Sequence, residues 1–585
     1  EKAINLKKDF SLAHCNLGII FKQLSRLEDA CLSIEKAIEL KPECEISHNN
    51  LGIILIELGK LKEAEIHLRD ALRFNPKYAD AYHNLGTLLF HTIRIKEAIS
   101  SYEMAIKLRP DYIDSYSSLG ELFLYNQDFI HSINVLNKGL KIDPNDSDLN
   151  ICFLKVLSLT SNWDELDQRL HLVKDLSAQK TTAIEPLTMM YLEDDPEREF
   201  HRSLNFHRAH YYQKEDTVDY KKKDKIRIGY FSNSFYSHSS LIIFCRIIEL
   251  HNKDEFEIYI YDFGHHEEDL YTQRVQAAAT QYKNVQNLSD LELINVARVD
   301  QIDIAFDLMG YTRKNRAKIF SKRLAPIQVS YLDWPGGTGN QSIDYLIADQ
   351  TLIPIEDEKY YAEKIIRMPH AKQPTDDTLI KSDKKFSRSN LGISENSFVF
   401  CCFSKSNKIQ RQDFILWMNL LLKVEHSCLW LLESNEISKS NMIQEAKNMG
   451  IDTQRIIFTK KIPLRDHMSR QSCADLMLDT FNFSSGVMTC LAIKCCLPVL
   501  TLPGKTFSSR LSASILNSLN LKELIALDEK DYLEKALHLS TNNNINKLKE
   551  KILKLEQNSP YFNSQTYCND FEKLLKNLIG NIDSD

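Results

Sequence analysis

The sequence lacks the cysteine spacings of a metal cluster or of a disulfide framework. It holds 13 cysteines without one C-x-x-C pair, and two pairs are directly adjacent, Cys401-Cys402 and Cys495-Cys496. Zinc clusters and small disulfide-bonded secreted domains use other spacings. We therefore expect reduced, buried thiols in a cytoplasmic protein.

Long apolar runs and a basic excess are also missing. No stretch of about 18 apolar residues occurs, so no membrane-spanning helix is expected, and the first residues lack the apolar core of a secretory signal. The chain has 73 basic and 80 acidic residues and a net charge of −7, which argues against nucleic-acid binding. Its 585 residues allow two to four domains.

A 34-residue period dominates the first quarter of the chain. A Leu-Gly pair recurs at Leu17, Leu51, Leu85 and Leu119, and a proline recurs at Pro42, Pro76, Pro110 and Pro144. This period is the tetratricopeptide signature, in which small residues let helix A and helix B approach and the proline ends helix B. Residues 1–6 match the end of a helix B, which predicts at least one further repeat before them.

One slot of helix A carries a series of asparagines, Asn16, Asn50 and Asn84, with Ser118 in the fourth repeat. An amide has two donors and an acceptor, so a ladder of amides in the groove is able to bind a peptide backbone. The alternative is that asparagine in this slot only suits the packing of the helices.

The domain order follows from changes in pattern. We predict tetratricopeptide repeats over 1–150, a helical cap and linker over 151–224, and a first α/β lobe over 225–355. A linker over 356–395 and a second α/β lobe over 396–585 complete the chain. Short apolar runs that alternate with amphipathic stretches predict two doubly wound parallel sheets with a cleft between them. The expected strands are 226–231, 256–261, 302–307, 327–332, 345–348, 398–403, 428–432, 455–458, 476–478 and 498–502.

The region from about 225 to 575 resembles the catalytic half of the O-GlcNAc transferase and SPINDLY-like family. The segments that carry the resemblance include IRIGYFSNSFYSH, FDLMGYT, RLAPIQVSYLDWPGGTG, FCCFSKSNKI, RIIFTKKIPLRDHMSR and LPVLTLPGKTFSSRLSAS. Their order agrees with the family, and so do the repeats in front. The resemblance implies a GT-B fold and transfer of a sugar, usually GlcNAc from UDP-GlcNAc, to Ser or Thr hydroxyls.

The resemblance also implies two catalytic residues. His238 stands in the slot of the family's cleft histidine, where an imidazole is able to accept a hydroxyl proton or to orient the acceptor. Lys408 matches the lysine that reaches the diphosphate, where an ammonium stabilises leaving-group charge. A surface histidine and a solvated lysine are the alternatives without function.

Further donor-binding residues are implied by the same matches. His467 and Arg470 correspond to the H-x-x-R that contacts the nucleotide, and Ser484 and Gly486 precede a helix start suited to a diphosphate. Thr312 ends the FDLMGYT segment, and Pro335 begins a loop beside the donor sugar. Lys405 stands where the family has glutamine. No cofactor or metal is expected, because no D-x-D pair lies where a nucleotide sugar would bind.

Several polar donor contacts of the family are replaced here. Val487 and Met488 stand in place of two threonines, Leu491 in place of the aspartate that holds the ribose, and Glu433 in place of an arginine. Three interpretations remain: an active UDP-GlcNAc enzyme, an enzyme with another donor such as GDP-fucose, and a non-catalytic repeat scaffold. Protein or peptide acceptors held by the repeats are the expected partners, with no nucleic acid and no membrane.

Overall fold

The computed structural model describes residues 9–24, 26–177, 183–213, 216–218, 223–541 and 543–582. Two compact units divide the chain: residues 1–156 with 287–289, and residues 157–286 with 290–585. The expected helix end at residues 1–6 lies outside the described residues. No helix of the described segments is both long and apolar enough to cross a membrane.

The first unit consists of antiparallel helix pairs, as the 34-residue period predicts. Its helices are α1 Ser11–Gln23, α2 Leu27–Leu40, α3 Glu45–Glu57, α4 Leu61–Phe74, α5 Ala79–His91, α6 Ile95–Leu108, α7 Ile113–Tyr125 and α8 Phe129–Ile142. The glycine of each repeat explains the close approach within a pair. A Cβ on Gly52 would lie 2.6 Å from Cγ of Leu68 in the facing helix, and one on Gly120 would meet Leu136. The repeat prediction is confirmed.

Helices continue between the repeats and the first sheet. They are α9 Ser147–Leu159, α10 Trp163–Ser177, α11 Pro186–Leu192 and α12 Pro196–His210. The last three belong to the second unit and pack into it. The ring of Trp163 lies 5.1 Å from that of Phe414, and His207 on α12 is within 3.1 Å of the Tyr311 hydroxyl.

The first lobe is built on a seven-stranded parallel sheet in the order β3-β2-β1-β4-β5-β6-β7. Its strands are β1 Ile226–Ser232, β2 Phe256–Asp262, β3 Gln281–Asn284, β4 Ile304–Asp307, β5 Ile327–Ser330, β6 Tyr345–Ala348 and β7 Lys364–Arg367. Helices α13 Ser239–Leu250, α14 Leu270–Ala278 and α15 Asp290–Val299 connect the strands on its first half. Because β7 pairs with β6, this sheet extends into the segment that was expected to be a linker.

The second lobe is a five-stranded parallel sheet in the order β10-β9-β8-β11-β12. Its strands are β8 Phe398–Cys402, β9 Ser427–Leu432, β10 Ile456–Thr459, β11 Leu476–Leu478 and β12 Val499–Leu500. Its helices are α16 Arg411–Lys423, α17 Glu436–Asn448, α18 Leu464–Arg470, α19 Gly486–Lys494, α20 Leu511–Ser518, α21 Glu529–Leu539 and α22 Asn544–Asn558.

The final helix, α23 Ser564–Ile582, packs on the first lobe. Glu572 accepts hydrogen bonds from Asn252 N and from the His251 ring at 2.7 and 3.1 Å. The hydroxyls of Tyr567 and Tyr331 are 2.6 Å apart. The helix that follows the second lobe in the chain is therefore anchored on the first lobe.

All ten expected strands are present, each within two residues of the expected start and three of the expected end. The two additional strands, β3 and β7, have half-exposed and polar sequences at the sheet edges, such as Gln281–Asn284. A short edge strand carries little hydrophobic pattern, so the sequence gives weak grounds to predict it.

Candidate active site

The candidate residues of both lobes lie at the carboxyl ends of parallel strands, where open α/β sheets bind ligands. His238 follows β1 and is the residue that precedes helix α13. Lys408 follows β8, in a single helical turn formed by Ser406–Lys408. Gly486 is the first residue of α19, which follows β11.

His238 lies where the two lobes face each other. Its side chain is 35% exposed, and Nδ1 is 3.2 Å from Oγ of Ser240. Burial and the positive charges of Lys405 and Lys461, both from the second lobe, lower the pKa of His238. The imidazole is therefore neutral near pH 7 and retains a lone pair for a proton.

Asp333 is a site residue that the sequence interpretation missed. Its Oδ2 lies 3.9 Å from Nδ1 of His238, and the side chain is 12% exposed. Burial raises the pKa of Asp333 to about 7, against the opposing effect of Lys372. The left-handed conformation of Leu332, at φ 77°, turns the chain immediately before it.

A signal for Asp333 was present in the sequence. Asp307 ends β4 and Asp333 follows β5, and these strands are neighbours in the sheet. Carboxylates at the ends of adjacent parallel strands meet at one edge. Asp307 differs in role, because its Oδ1 accepts hydrogen bonds from Met309 N and Gly310 N at 2.9 and 3.0 Å.

Lys408 is a cation in a buried setting. Its Nζ lies 4.2 Å from the ring centre of Phe483, and burial lowers its pKa to about 8, partly offset by Asp479. Asp479 is the carboxylate whose charge acts on Lys408. An anionic ligand next to Lys408 would further stabilise its positive charge.

The start of α19 is buried beside a polar side chain of the preceding segment. The first backbone N–H groups of a helix have no partner within the helix, and Gly486 has no side chain to cover them. A Cβ at Gly486 would lie 3.1 Å from Oε1 of Gln373. Gln373 is 8% exposed, and its Nε2 has no hydrogen-bond partner in the described structure. This amide is a second residue that the sequence interpretation missed.

Ser484 is held inside the second lobe. Its hydroxyl donates to Ser508 O at 3.1 Å and accepts from Ser512 N at 3.2 Å, and the residue is fully buried. Both bonds fix the loop that leads into α19. Donor binding by Ser484 stays a prediction, and in this geometry the hydroxyl acts on the loop.

His467 and Arg470 lie on one face of α18, as their spacing predicts. Arg470 Nε donates to His467 Nδ1 at 2.9 Å, and Nη1 donates to Thr459 Oγ1 at 3.0 Å. Burial and the neighbouring guanidinium lower the pKa of His467 to about 3, so this ring is neutral. The pair is 8% and 2% exposed. It connects α18 to the end of β10, and direct nucleotide contact stays a prediction.

Thr312 and the 335–339 segment lie in closely packed loops of the first lobe. Thr312 Oγ1 donates to Met309 O at 2.9 Å, and Pro335 is buried. Gly339 has φ +66°, and a Cβ there would lie 2.5 Å from Leu204 N on α12, so both its backbone conformation and its surroundings favour glycine. The 335–339 segment is thus positioned by α12.

Three of the replaced donor contacts, Val487, Met488 and Leu491, belong to one apolar cluster. Leu491 is 2% exposed and packs with Met468 and Cys495, while Val487 and Met488 are partly buried at the edge of this cluster. Lys405 remains exposed at the lobe surface. Leu491 therefore offers no polar atom to a ribose, whereas Lys405 adds positive charge near His238 and Lys408.

The asparagine series lies in the repeat unit. Asn16 is exposed, Asn50 Nδ2 is 3.5 Å from Cys15 Sγ, and Asn84 Nδ2 donates to Asn49 Oδ1 at 2.9 Å. Two of the three amides thus bond to the preceding repeat. These bonds favour a packing role for Asn50 and Asn84, and acceptor binding by the series stays a prediction.

Comparison with known proteins identifies both regions. A model described as "Glycosyl transferase family 41" matches residues 200–380 and 372–571, and a tetratricopeptide model matches 12–44, 47–78 and 79–112. An O-GlcNAc transferase mutant from Thermobaculum terrenum has the same fold, with a TM-score of 0.62, 21% identity and coverage of 97% of this chain and 96% of that one.

Two curated relatives are plant proteins. One, from Arabidopsis thaliana, is named "probable UDP-N-acetylglucosamine–peptide N-acetylglucosaminyltransferase SEC" and is 29% identical over 60% of this chain and 36% of its own length. A SPINDLY protein of Petunia hybrida, named as the same probable transferase, is 24% identical over 67% of this chain and 43% of its own length. The chain thus spans less than half the length of either relative.

Proposed function

Because the chain belongs to glycosyltransferase family 41, we propose that it is a protein O-glycosyltransferase that moves GlcNAc from UDP-GlcNAc to Ser or Thr hydroxyls. The names of the two plant relatives support this donor and this class of acceptor. The two-lobed fold, with candidate polar residues from both lobes at the strand ends, supports the reaction class.

The acceptor side of the reaction is assigned to His238. The acceptor hydroxyl attacks the anomeric carbon, its proton passes to the free ring nitrogen of His238, and the bond from the anomeric carbon to the diphosphate oxygen breaks. This displacement inverts the configuration at the anomeric carbon. As the imidazole becomes positively charged, the carboxylate of Asp333 stabilises it from the Nδ1 side.

The donor side is assigned to Lys408 and to the start of α19. Negative charge develops on the diphosphate as the glycosidic bond breaks, and an ammonium and backbone N–H groups stabilise it. Lys405 adds a second positive charge close to Lys408. These groups supply the charge compensation that a metal supplies in other transferases, so we expect no metal requirement in the cleft.

One observation carries the proposal: the positive charges of second-lobe lysines act on the first-lobe histidine. A proton acceptor and a phosphate-binding cation are useful together only if they act on the same substrate. Burial lowers the pKa of His238 most, and the charges of Lys405 and Lys461 lower it further, which supports a shared electrostatic environment for these groups. This is the arrangement that a sugar diphosphate and a hydroxyl acceptor require.

The apolar cluster at Leu491 favours a second candidate, a different nucleotide donor or a scaffold without catalysis. A hydrogen bond contributes about 0.5–1.5 kcal/mol net, so the loss of three polar partners weakens donor binding by about a hundredfold. The lysine pair and the free Gln373 amide offset part of this loss. We therefore retain the transferase as the first proposal.

A donor panel distinguishes these candidates. The full chain is titrated calorimetrically with UDP, UDP-GlcNAc, GDP and GDP-fucose, and sugar transfer is followed by mass spectrometry of acceptor peptides. The proposal expects UDP binding and transfer, both lost in Lys408→Met and both kept in the control Lys530→Met, whose side chain is 85% exposed. GDP-fucose turnover would reassign the donor. Absence of any shift at millimolar nucleotide, with a folded sample, would identify a scaffold.

For partners and compartment, we propose polypeptide acceptors bound along the repeat helices and a cytoplasmic location. The repeats resemble modules that present extended surfaces to peptides, and the thiols among the described cysteines are unpaired. A proximity-labelling experiment with and without the repeats tests the recruitment.

A further inference from the structure

Three potential metal ligands converge within one tetratricopeptide repeat. His48 lies on α3, and His67 and Asp70 lie three residues apart on α4, which places them on one helix face. One ligand atom from each side chain lies within 4.8 Å of those of the other two. The Nδ1 atoms of the two histidines are 3.0 Å apart.

The orientation of His48 suits a metal ligand. Its Nε2 lies 2.9 Å from the carbonyl oxygen of Pro42, so Nε2 carries the proton and Nδ1 presents a lone pair. Histidines that bind metals commonly donate their second ring nitrogen to a carbonyl in this way. Two tetrahedral ligands at zinc, with bonds of about 2.0–2.1 Å, lie about 3.3 Å apart, close to the distance found here.

The same three residues do not recur in the other repeats. One period earlier and later, the position of His67 is held by Ser33 and Ser101, and that of Asp70 by Lys36 and Met104. His48 belongs to a slot that recurs, since the Tyr116 hydroxyl donates to Pro110 O as His48 does to Pro42 O. The feature peculiar to this repeat is the pair His67 and Asp70, which requires a local explanation. Packing does not explain the Asp70 carboxylate, because its side chain is 25% exposed. Its ion-pair partner, Arg73, is 68% exposed.

A second cluster of potential ligands has hydrogen bonds that do not suit a metal ion. His251, Cys568 and Glu572 also lie within reach of one another and are all buried. However, both ring nitrogens of His251 are in hydrogen bonds, one at 2.9 Å to the Tyr230 hydroxyl and one at 3.1 Å to Glu572. No lone pair remains for an ion there. In the His48 cluster, the only partner of Nδ1 among the described residues is the other candidate ligand.

We propose that His48, His67 and Asp70 bind a divalent zinc ion that fastens α3 to α4. Two imidazole nitrogens and one carboxylate oxygen are a ligand set that zinc accepts, and the fourth position is left for water or for a group of a bound partner. Without the ion, a proton on Nδ1 of His67 bridges the two rings. Binding of the ion displaces that proton from Nδ1 to Nε2 of His67, so that His67 binds zinc as a neutral imidazole.

The test measures zinc binding to the full chain after removal of metal with a chelator. Equilibrium dialysis and calorimetry with zinc chloride compare the wild type with the double variant His67→Gln/Asp70→Asn. The control is His131→Gln, since Asp128 and His131 form the same pair three residues apart, at 2.8 Å, without a second histidine. We expect one zinc site fewer in the double variant, an affinity loss of at least tenfold in Asp70→Asn alone, and wild-type binding in the control.

Two further readouts separate loss of the ligand from loss of the fold. Circular dichroism establishes that each variant is helical, and Asp70→Asn, a half-exposed and isosteric change, serves if the double variant unfolds. Zinc should raise the unfolding temperature of the wild type and of His131→Gln but not that of the double variant. Equal zinc stoichiometry and affinity in the wild type and Asp70→Asn, or zinc held only by cysteine thiols in X-ray absorption spectra, would overturn the proposal.

Discussion

Oδ2 of Asp333 lies 3.9 Å from Nδ1 of His238, in a position to stabilise a proton on that ring. The carboxyl comes from the end of β5 and the imidazole from the end of β1, so the sheet holds the two groups in place. Since a substrate commonly tightens such contacts, we propose that this pair supplies the cleft with a base and with a group that orients the base.

The first prediction concerns this pair. In Asp333→Asn the imidazolium loses its carboxylate, so kcat/KM should fall by about 10- to 100-fold. Because the pKa of Asp333 is about 7, its carboxylate is present mainly above pH 7, so the loss of rate should be greatest there. Rate profiles measured between pH 5 and 9 test both effects, with Ser240→Ala as the comparison. An equal loss of rate at pH 5 and pH 9, or no loss, would remove the Asp333 carboxylate from the mechanism.

Asp333 should also reduce stability at neutral pH. Its folded-state pKa of about 7 is above the ordinary value of 3.8, so the folded state binds more protons and stability falls as pH rises from about 4 to 7. Asp333→Asn should therefore unfold at an equal or higher temperature than the wild type at pH 8. A lower unfolding temperature would contradict this assignment.

Replacing Lys405 should move the acid limb of the pH–rate profile. The Lys405 charge lowers the pKa of His238, so Lys405→Gln should raise that pKa and move the acid limb to higher pH. The titration of His238 in NMR spectra checks the shift directly. Lys461→Gln provides a second variant with the same expected sign, and a downward shift in either would refute the electrostatic contact.

Lys408→Met should separate activity from stability. Transfer should fall by at least a hundredfold because the diphosphate loses its ammonium. Burial lowers the pKa of Lys408 to about 8 from 10.5, so the folded state binds fewer protons and stability increases as pH rises from about 8 to 10.5. At pH 7 the methionine variant should be at least as stable as the wild type. Thermal unfolding and a transfer assay on the same sample test both effects. A variant that keeps transfer activity would contradict the assigned role of Lys408.

The asparagine series should affect acceptors and not donors. Replacing Asn16, Asn50 and Asn84 by alanine should weaken the binding of protein acceptors while donor hydrolysis continues. The loss of the Asn84–Asn49 bond, at 2.9 Å, should cost about 1 kcal/mol of unfolding free energy. Asn84→Ala alone gives this stability control. Equal acceptor affinity in the triple variant and the wild type would leave only the packing role.

Gly339 is the position where the backbone of the cleft loop is most constrained. A Cβ there would lie 2.5 Å from Leu204 N, and the residue has φ +66°. Gly339→Ala should therefore destabilise the second unit by about 1–3 kcal/mol. The matched control is Gly580→Ala on α23, where an added Cβ meets nothing within 4 Å and helix propensity increases. Denaturant unfolding of both variants measures the difference.

The order of elements was determined by the sequence alone. The 34-residue period specifies the repeats because each glycine must lie under a facing side chain, as Gly52 does under Leu68. The apolar runs specify the central strands, because a strand buried on both faces has to be apolar throughout. The resemblance in local motifs placed His238 and Lys408 at strand ends, where the structure also has them.

Only the tertiary structure determined which polar groups meet. Asp333 and His238 are far apart in the chain, and their contact depends on the strand order of the first sheet. Gln373 lies beside Gly486 of the second lobe, which comes much later in the chain. The same holds for Arg470, whose guanidinium is directed to His467 and Thr459 inside the lobe. Hydrophobic periodicity is local and can therefore be recognised in the sequence. The pairing of buried polar groups depends on distances that exist only after the sheets have formed.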